Sequence, residues 1–168
     1  MRKHVTLCPA QRLPCSAIMG GGQKRARGNF RDAMKTGAHP VVRDPNQPPL
    51  VLLVDDQEDA RLMYTEQLEW AGWRVAHAVD GEHALWKVVT AKPDVVVMDL
   101  AMPTLDGWEA TRQIKSNPKT RHIPVIALTG HVMPEQLRRA EEAGADVVLT
   151  KPCTPGTLLV AVDRWLQR

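Results

Sequence analysis

Cysteine is scarce here: the 168 residues hold Cys8, Cys15 and Cys153, an odd number with no CxxC pair. His4 and His39 do not complete a zinc-finger spacing around the first two. A disulfide framework and a structural zinc site therefore find no support, and a reduced, cytoplasmic chain is expected. Long apolar runs are missing as well. Nothing approaches the ~18 to 20 consecutive apolar residues of a membrane span, so no membrane partner is expected. At the N-terminus, Pro9, Gln11, Arg12 and Pro14 interrupt any stretch that could serve as a signal peptide.

The length suits one domain plus a tail, because a single hydrophobic core usually needs roughly 100 to 150 residues. Charge divides the chain unevenly. Residues 1–49 carry nine Lys or Arg against two Asp, a net +7, while the remainder carries thirteen against seventeen, a net −4. Between Met1 and Pro49 there is no apolar periodicity, and Gly20-Gly21-Gly22 and Pro48-Pro49 interrupt it further. Residues 1–49 are read as a basic, disordered arm, with Met19 and Met34 as alternative starts, and residues 50–168 as the folded domain. Weak attachment to nucleic acid is one use of such an arm, but a solvated tail is the simpler one, and nucleic acid is not expected as a partner.

After Pro49, short β-branched runs alternate with segments of helical period. The strand candidates are 50–54, 73–79, 95–98, 125–128 and 147–149, composed as strands buried on both faces are. The helix candidates are 58–71, 82–91, 108–116, 134–143 and 156–167, with Gly72, Pro93, Pro118 and Gly144 as stops for the first four. Five strand-then-helix units imply an α/β fold, a doubly wound five-stranded parallel sheet of flavodoxin-like order 2-1-3-4-5 with helices on both faces. Ligands bind such sheets at the carboxyl ends of strands 1 and 3, where the winding reverses.

Three carboxylates meet at that edge: Asp55 and Asp56 end the first strand and Asp99 ends the third. Two like charges ~4 Å apart repel by roughly 4 kcal/mol at an effective dielectric near 20, so the group calls for a cation or shifted pKa values. Hard oxygen ligands of this kind favour Mg²⁺, or Mn²⁺, beside a phosphate. Thr129 and Gly130 leave the fourth strand, and Lys151 and Pro152 the fifth. A hydroxyl and an ammonium aimed at one spot suit a phosphoryl oxygen.

The runs Leu-Leu-Val-Asp-Asp (52–56), Val-Val-Met-Asp-Leu-Ala-Met-Pro-Thr-Leu-Asp-Gly (96–107), Pro-Val-Ile-Ala-Leu-Thr-Gly (124–130) and Gly-Ala-Asp…Thr-Lys-Pro (144–152) together resemble the CheY-like receiver domains of bacterial two-component response regulators. The resemblance spans residues 50–168. It implies that Asp99 takes a phosphoryl group from a histidine kinase or a histidine phosphotransfer protein. It further implies that Asp56, Asp99 and the Ala101 backbone carbonyl ligate Mg²⁺, with Asp55 acting directly or through water. Lys151 would pair with the phosphoryl group, Thr129 would swing toward it, and the Lys151–Pro152 peptide would be cis. Met102, Pro103, Asp106 and Gly107 would shape the turn into the third helix.

Two departures bear on output. Receivers commonly carry an aromatic residue three positions before the lysine and a bulky one after Lys-Pro; here those positions are Val148 and Cys153. The only Tyr and Phe are Tyr64, in the first helix, and Phe30, in the arm. On that helix Ala60, Met63 and Leu68 are expected to face inward, leaving Leu62 and Trp70 toward solvent. Since the resemblance puts this helix near the kinase, Leu62 is the expected docking residue. The chain stops soon after the fifth helix candidate, so a stand-alone switch or shuttle acting on an unknown downstream protein is expected, and not an enzyme. The alternative is a phosphohydrolase working through an aspartyl phosphate, but its second acid, two positions after Asp99, is replaced by Ala101. A flavin or nucleotide carrier on this fold would need glycines where Asp55 and Asp56 stand.

Overall fold

The β-branched runs form five strands: β1 (Leu50–Val54), β2 (Arg74–Ala78), β3 (Val95–Asp99), β4 (Val125–Thr129) and β5 (Val147–Thr150). The helices are α1 (Glu58–Trp70), α2 (Gly81–Ala91), α3 (Gly107–Ser116), α4 (Pro134–Glu142) and α5 (Pro155–Leu166). This is a computed structural model, and it describes residues 47–130 and 134–167. Nearly all of the basic arm, and the expectation that it is disordered, lie outside the described residues. All neighbouring strands pair in parallel in the order β2-β1-β3-β4-β5, the doubly wound arrangement expected from the alternation of elements.

Strand periodicity divides the core in two. Leu52, Val54, Val96 and Met98 point to one face, where they meet Leu85 and Val88 of α2 and Ala110 and Ile114 of α3. Their neighbours Val51, Leu53, Val95 and Val97 point to the other, against Tyr64 and Leu68 of α1 and Leu158 and Val162 of α5. Successive side chains of a strand point to opposite faces, so a run apolar at every position serves both layers. Burial on both faces holds for β3 and β4 throughout and for β1 beyond its first residue. It does not hold for β2 and β5, which are only partly buried because each lies at an edge of the sheet with one neighbour.

Helix starts differ from the sequence reading for a local reason. The Asp80 and Asp106 carboxylates accept hydrogen bonds from the N–H groups of His83 and Glu109, at 2.7 and 2.8 Å, and Thr154 accepts one from Thr157 at 3.3 Å. These caps begin α2, α3 and α5 one residue earlier than expected. At the other end of α1, Gly72 adopts φ +87° as the chain turns into β2, a conformation that costs a residue with a side chain more than it costs glycine.

The inward stripe of α1 also differs. Ala60, Tyr64 and Leu68 follow a four-residue spacing into the core, whereas Met63 is 45% exposed. The buried Tyr64 ring shares its cluster with Cys153. Leu62 and Trp70 face solvent, as expected.

Candidate functional site

Pairing of β1 with β3 places Val54 opposite Met98, so the next residues, Asp55 and Asp99, emerge side by side at the carboxyl edge. Both are buried, at 0% and 3% exposure, whereas Asp56 is exposed. Asp55, Asp56 and Asp99 each offer a carboxylate oxygen within 4.8 Å of the others. Buried carboxylates need compensating positive charge. Lys151 supplies it: its Nζ donates to Asp55 Oδ2 at 2.7 Å and to Asp99 Oδ2 at 2.9 Å. Burial alone would lower the lysine pKa, but the hydrogen bonds and charges of the two aspartates outweigh it and hold the ammonium above its ordinary value.

Strand pairing also delivers the lysine. Thr129, the buried last residue of β4, stands opposite Thr150, and its carbonyl accepts the Lys151 N–H at 2.7 Å. The Lys151–Pro152 peptide is cis, and Pro152 is exposed. Gly130 is exposed, and a Cβ built on it would meet nothing within 4 Å. Leu62, 57% exposed on α1, is not among the residues gathered around Lys151.

The β3–α3 turn holds the second oxygen of Asp99. Ala101 N–H donates to Asp99 Oδ1 at 3.1 Å. Gly107 N–H donates to the Leu100 carbonyl at 3.2 Å, and a Cβ on Gly107 would lie 2.7 Å from the Leu100 Cα. Only glycine lets α3 begin this close to the acceptor strand. Within the same turn Thr104 takes φ +70°, unusual for a β-branched residue.

Two contributors were not singled out from the sequence. Arg61 Nη1 donates to the Asp55 carbonyl at 2.8 Å, and nothing in the spacing of an arginine on an amphipathic helix marks that reach. Tyr64 lies near enough for its phenol to feel the site: burial raises its pKa, Lys151 opposes that, and Cys153, Asp55 and Asp99 add to it.

Val148 packs in a small cluster with Leu100, Ala127, Ala140, Trp108 and Ala145. The Arg139 guanidinium of α4 lies 4.7 Å from the Trp108 ring centroid, and Trp108 Nε1 is buried without a hydrogen-bond partner. Thus α3 and α4 touch through an aromatic residue although position 148 carries none.

Chemically, a set of carboxylate oxygens beside one ammonium fits a hard divalent cation and an anionic ligand together. Three oxygen donors, two of them on buried residues, match Mg²⁺ or Mn²⁺ better than a softer metal. Among the described residues no helix is long and apolar enough to cross a membrane.

Known proteins place this geometry. A family model described as "Response regulator receiver domain" matches residues 51–163. The gliding motility regulatory protein of Myxococcus xanthus is 42% identical over 115 residues, which cover 68% of this chain and 15% of that protein. Protein PilH of Pseudomonas aeruginosa is 36% identical over 113 residues, covering 67% of this chain and 93% of PilH. The receiver domain of a sensor histidine kinase from P. aeruginosa, solved with a magnesium ion coordinated in its active-site cleft, superposes with a TM-score of 0.68 at 30% identity, covering 72% of this chain and 99% of that one. With its doubly wound sheet and acidic switch-point edge, this chain belongs to the response regulator receiver domain family of two-component signalling.

Proposed function

We propose that the chain accepts a phosphoryl group on Asp99 from a histidine kinase or a histidine phosphotransfer protein and acts as a signalling switch or phosphorelay shuttle. The observation that carries this reading is the Asp99 carboxylate, buried, hydrogen-bonded by Lys151 and grouped with two further acids at the switch point. Asp99 attacks the phosphorus of the phosphohistidine. An O–P bond forms as the N–P bond breaks, and the imidazole nitrogen leaves with the electron pair. The attack leaves the aspartate oxygen bonded to phosphorus, so its hold on Lys151 weakens. The ammonium, kept charged by its raised pKa, then turns to a phosphoryl oxygen, and the Thr129 hydroxyl follows.

Asp55, Asp56, Asp99 and the Ala101 carbonyl would hold Mg²⁺ or Mn²⁺, whose charge offsets that of the transferring oxygens. The magnesium in the P. aeruginosa receiver supports that assignment. Stand-alone action is supported by PilH, which this domain spans almost completely. Leu62, with Met63 and Trp70 exposed on the same helix, provides an apolar surface for the donor protein. A cytoplasmic location belongs to this reading, consistent with the free thiol of Cys153. Nucleic acid and membrane have no part in it, and turnover is confined to hydrolysis of the chain's own acyl phosphate.

The test is phosphotransfer from purified histidine kinases and phosphotransfer proteins to the full chain and to Asp99→Asn. Label should move from at least one donor to the parent and to none of the variant, since an amide is not a usable nucleophile here. Equal labelling of both proteins removes Asp99 from the role.

A further inference from the structure

Every polar atom of Asp55 is engaged. Its N–H donates to the Ala78 carbonyl at 3.3 Å, Oδ1 accepts from Gln57 N–H at 2.9 Å, Oδ2 accepts from Lys151 at 2.7 Å, and its carbonyl accepts from Arg61 Nη1 at 2.8 Å. The first three hold the buried residue and its side chain. The fourth is different, because the Asp55 carbonyl belongs to the peptide unit that leads into Asp56. That unit is planar, so fixing the direction of its C=O fixes where the Asp56 Cα starts. Asp56 is the exposed acid of the three, and among the described residues no hydrogen bond or ion pair holds its carboxylate.

We infer that Arg61 is a positioning residue for the Asp56 carboxylate, holding the Asp55–Asp56 peptide plane from the first turns of α1. The inference rests on the proposed phosphoacceptor reading. The backbone of Arg61 is fixed in α1: its N–H donates to the Gln57 carbonyl at 3.1 Å and its carbonyl accepts from Thr65 Oγ1 at 2.6 Å. A guanidinium donating to a carbonyl makes a charge-assisted bond, stronger and more directional than a neutral one. It forms no ion pair with Asp55, Asp56 or Asp99. Its part is thus to aim one ligand, in the way that outer-sphere partners orient the residues that touch a metal.

The sign of one measurement separates this role from a purely electrostatic one. Removing a positive charge beside three carboxylates, with nothing else changed, tightens cation binding; removing a positioning bond weakens it. Calorimetric titration of the full chain with Mg²⁺ alone reads that sign, and circular dichroism in EDTA reports that each variant is folded. Arg61→Ala should bind Mg²⁺ about 10-fold more weakly, with Arg61→Lys between it and the parent. In an Asp56→Asn background the Arg61→Ala change should add little, because the carboxylate it positions is gone. Unchanged or tighter binding by Arg61→Ala, or the same fold-loss in both backgrounds, overturns the inference. Equal binding by the parent and Asp56→Asn overturns the inference as well, whereas a parent chain that fails to bind Mg²⁺ overturns the phosphoacceptor reading itself.

Discussion

Lys151→Met keeps the aliphatic stem and removes only the ammonium. What remains is Asp55 and Asp99, both buried, with carboxylate oxygens inside a 4.8 Å group. At that separation and an effective dielectric near 20, two negative charges repel by about 3.5 kcal/mol. Removing one partner of a buried pair costs about 3 to 5 kcal/mol, and the lysine side chain, 22% exposed, belongs at the low end of that range because water reaches it. Urea unfolding of the variant in EDTA at pH 7 should therefore show a loss of about 3 kcal/mol. In the parent the contribution of Lys151 depends on its charge. The folded-state lysine pKa lies above 10.5, so the contribution is complete below that value and is lost as pH rises through the raised one. A loss under about 1 kcal/mol refutes the reasoning, because it means that water already screens the two aspartates.

Leu62→Asp should slow phosphotransfer from a partner protein at least several-fold while sparing phosphorylation by acetyl phosphate, because the side chain is 57% exposed and lies outside the acidic site; equal loss with both donors means that the fold is damaged. Thr104→Gly should raise stability by about 0.5 to 1 kcal/mol in thermal or urea unfolding, since relief of the positive-φ strain exceeds glycine's larger loss of entropy. A destabilised variant would show that the turn relies on the threonine side chain.

Much of this site was legible because it depends on topology and residue type. Asp55 and Asp99 follow β-branched runs, and once those runs are neighbouring parallel strands their ends must coincide. Lys151 follows by the same rule from the end of β5, although β4 lies between it and β3. The three helix starts placed one residue late involve side chains that look like turn residues until their cap bonds are seen, as Asp106 does with Glu109. Met63 was misplaced for a related reason. Several stripes fit the apolar residues of a helix with an exposed Leu, Met and Trp, and packing of Tyr64 in the layer of Cys153 decides among them. Arg61 could not be read at all, since a side chain reaching back six residues to a backbone carbonyl has no sequence signature. The Trp108–Arg139 contact between α3 and α4 depends on the approach of two helices, which no local pattern reports.

Asp99 as the acceptor is the central claim, and the intact mass of the full chain after incubation with acetyl phosphate tests it most directly. With Mg²⁺ present, the parent should gain the mass of one phosphoryl group, held in an acyl phosphate that hydroxylamine removes and that peptide mapping assigns to Asp99. Asp99→Asn should gain none, and the parent in EDTA should gain little, because the carboxylates around Asp99 then face the incoming phosphate without a divalent charge between them. A parent that stays unmodified with Mg²⁺, or an Asp99→Asn variant that gains the same mass at the same rate, contradicts the account.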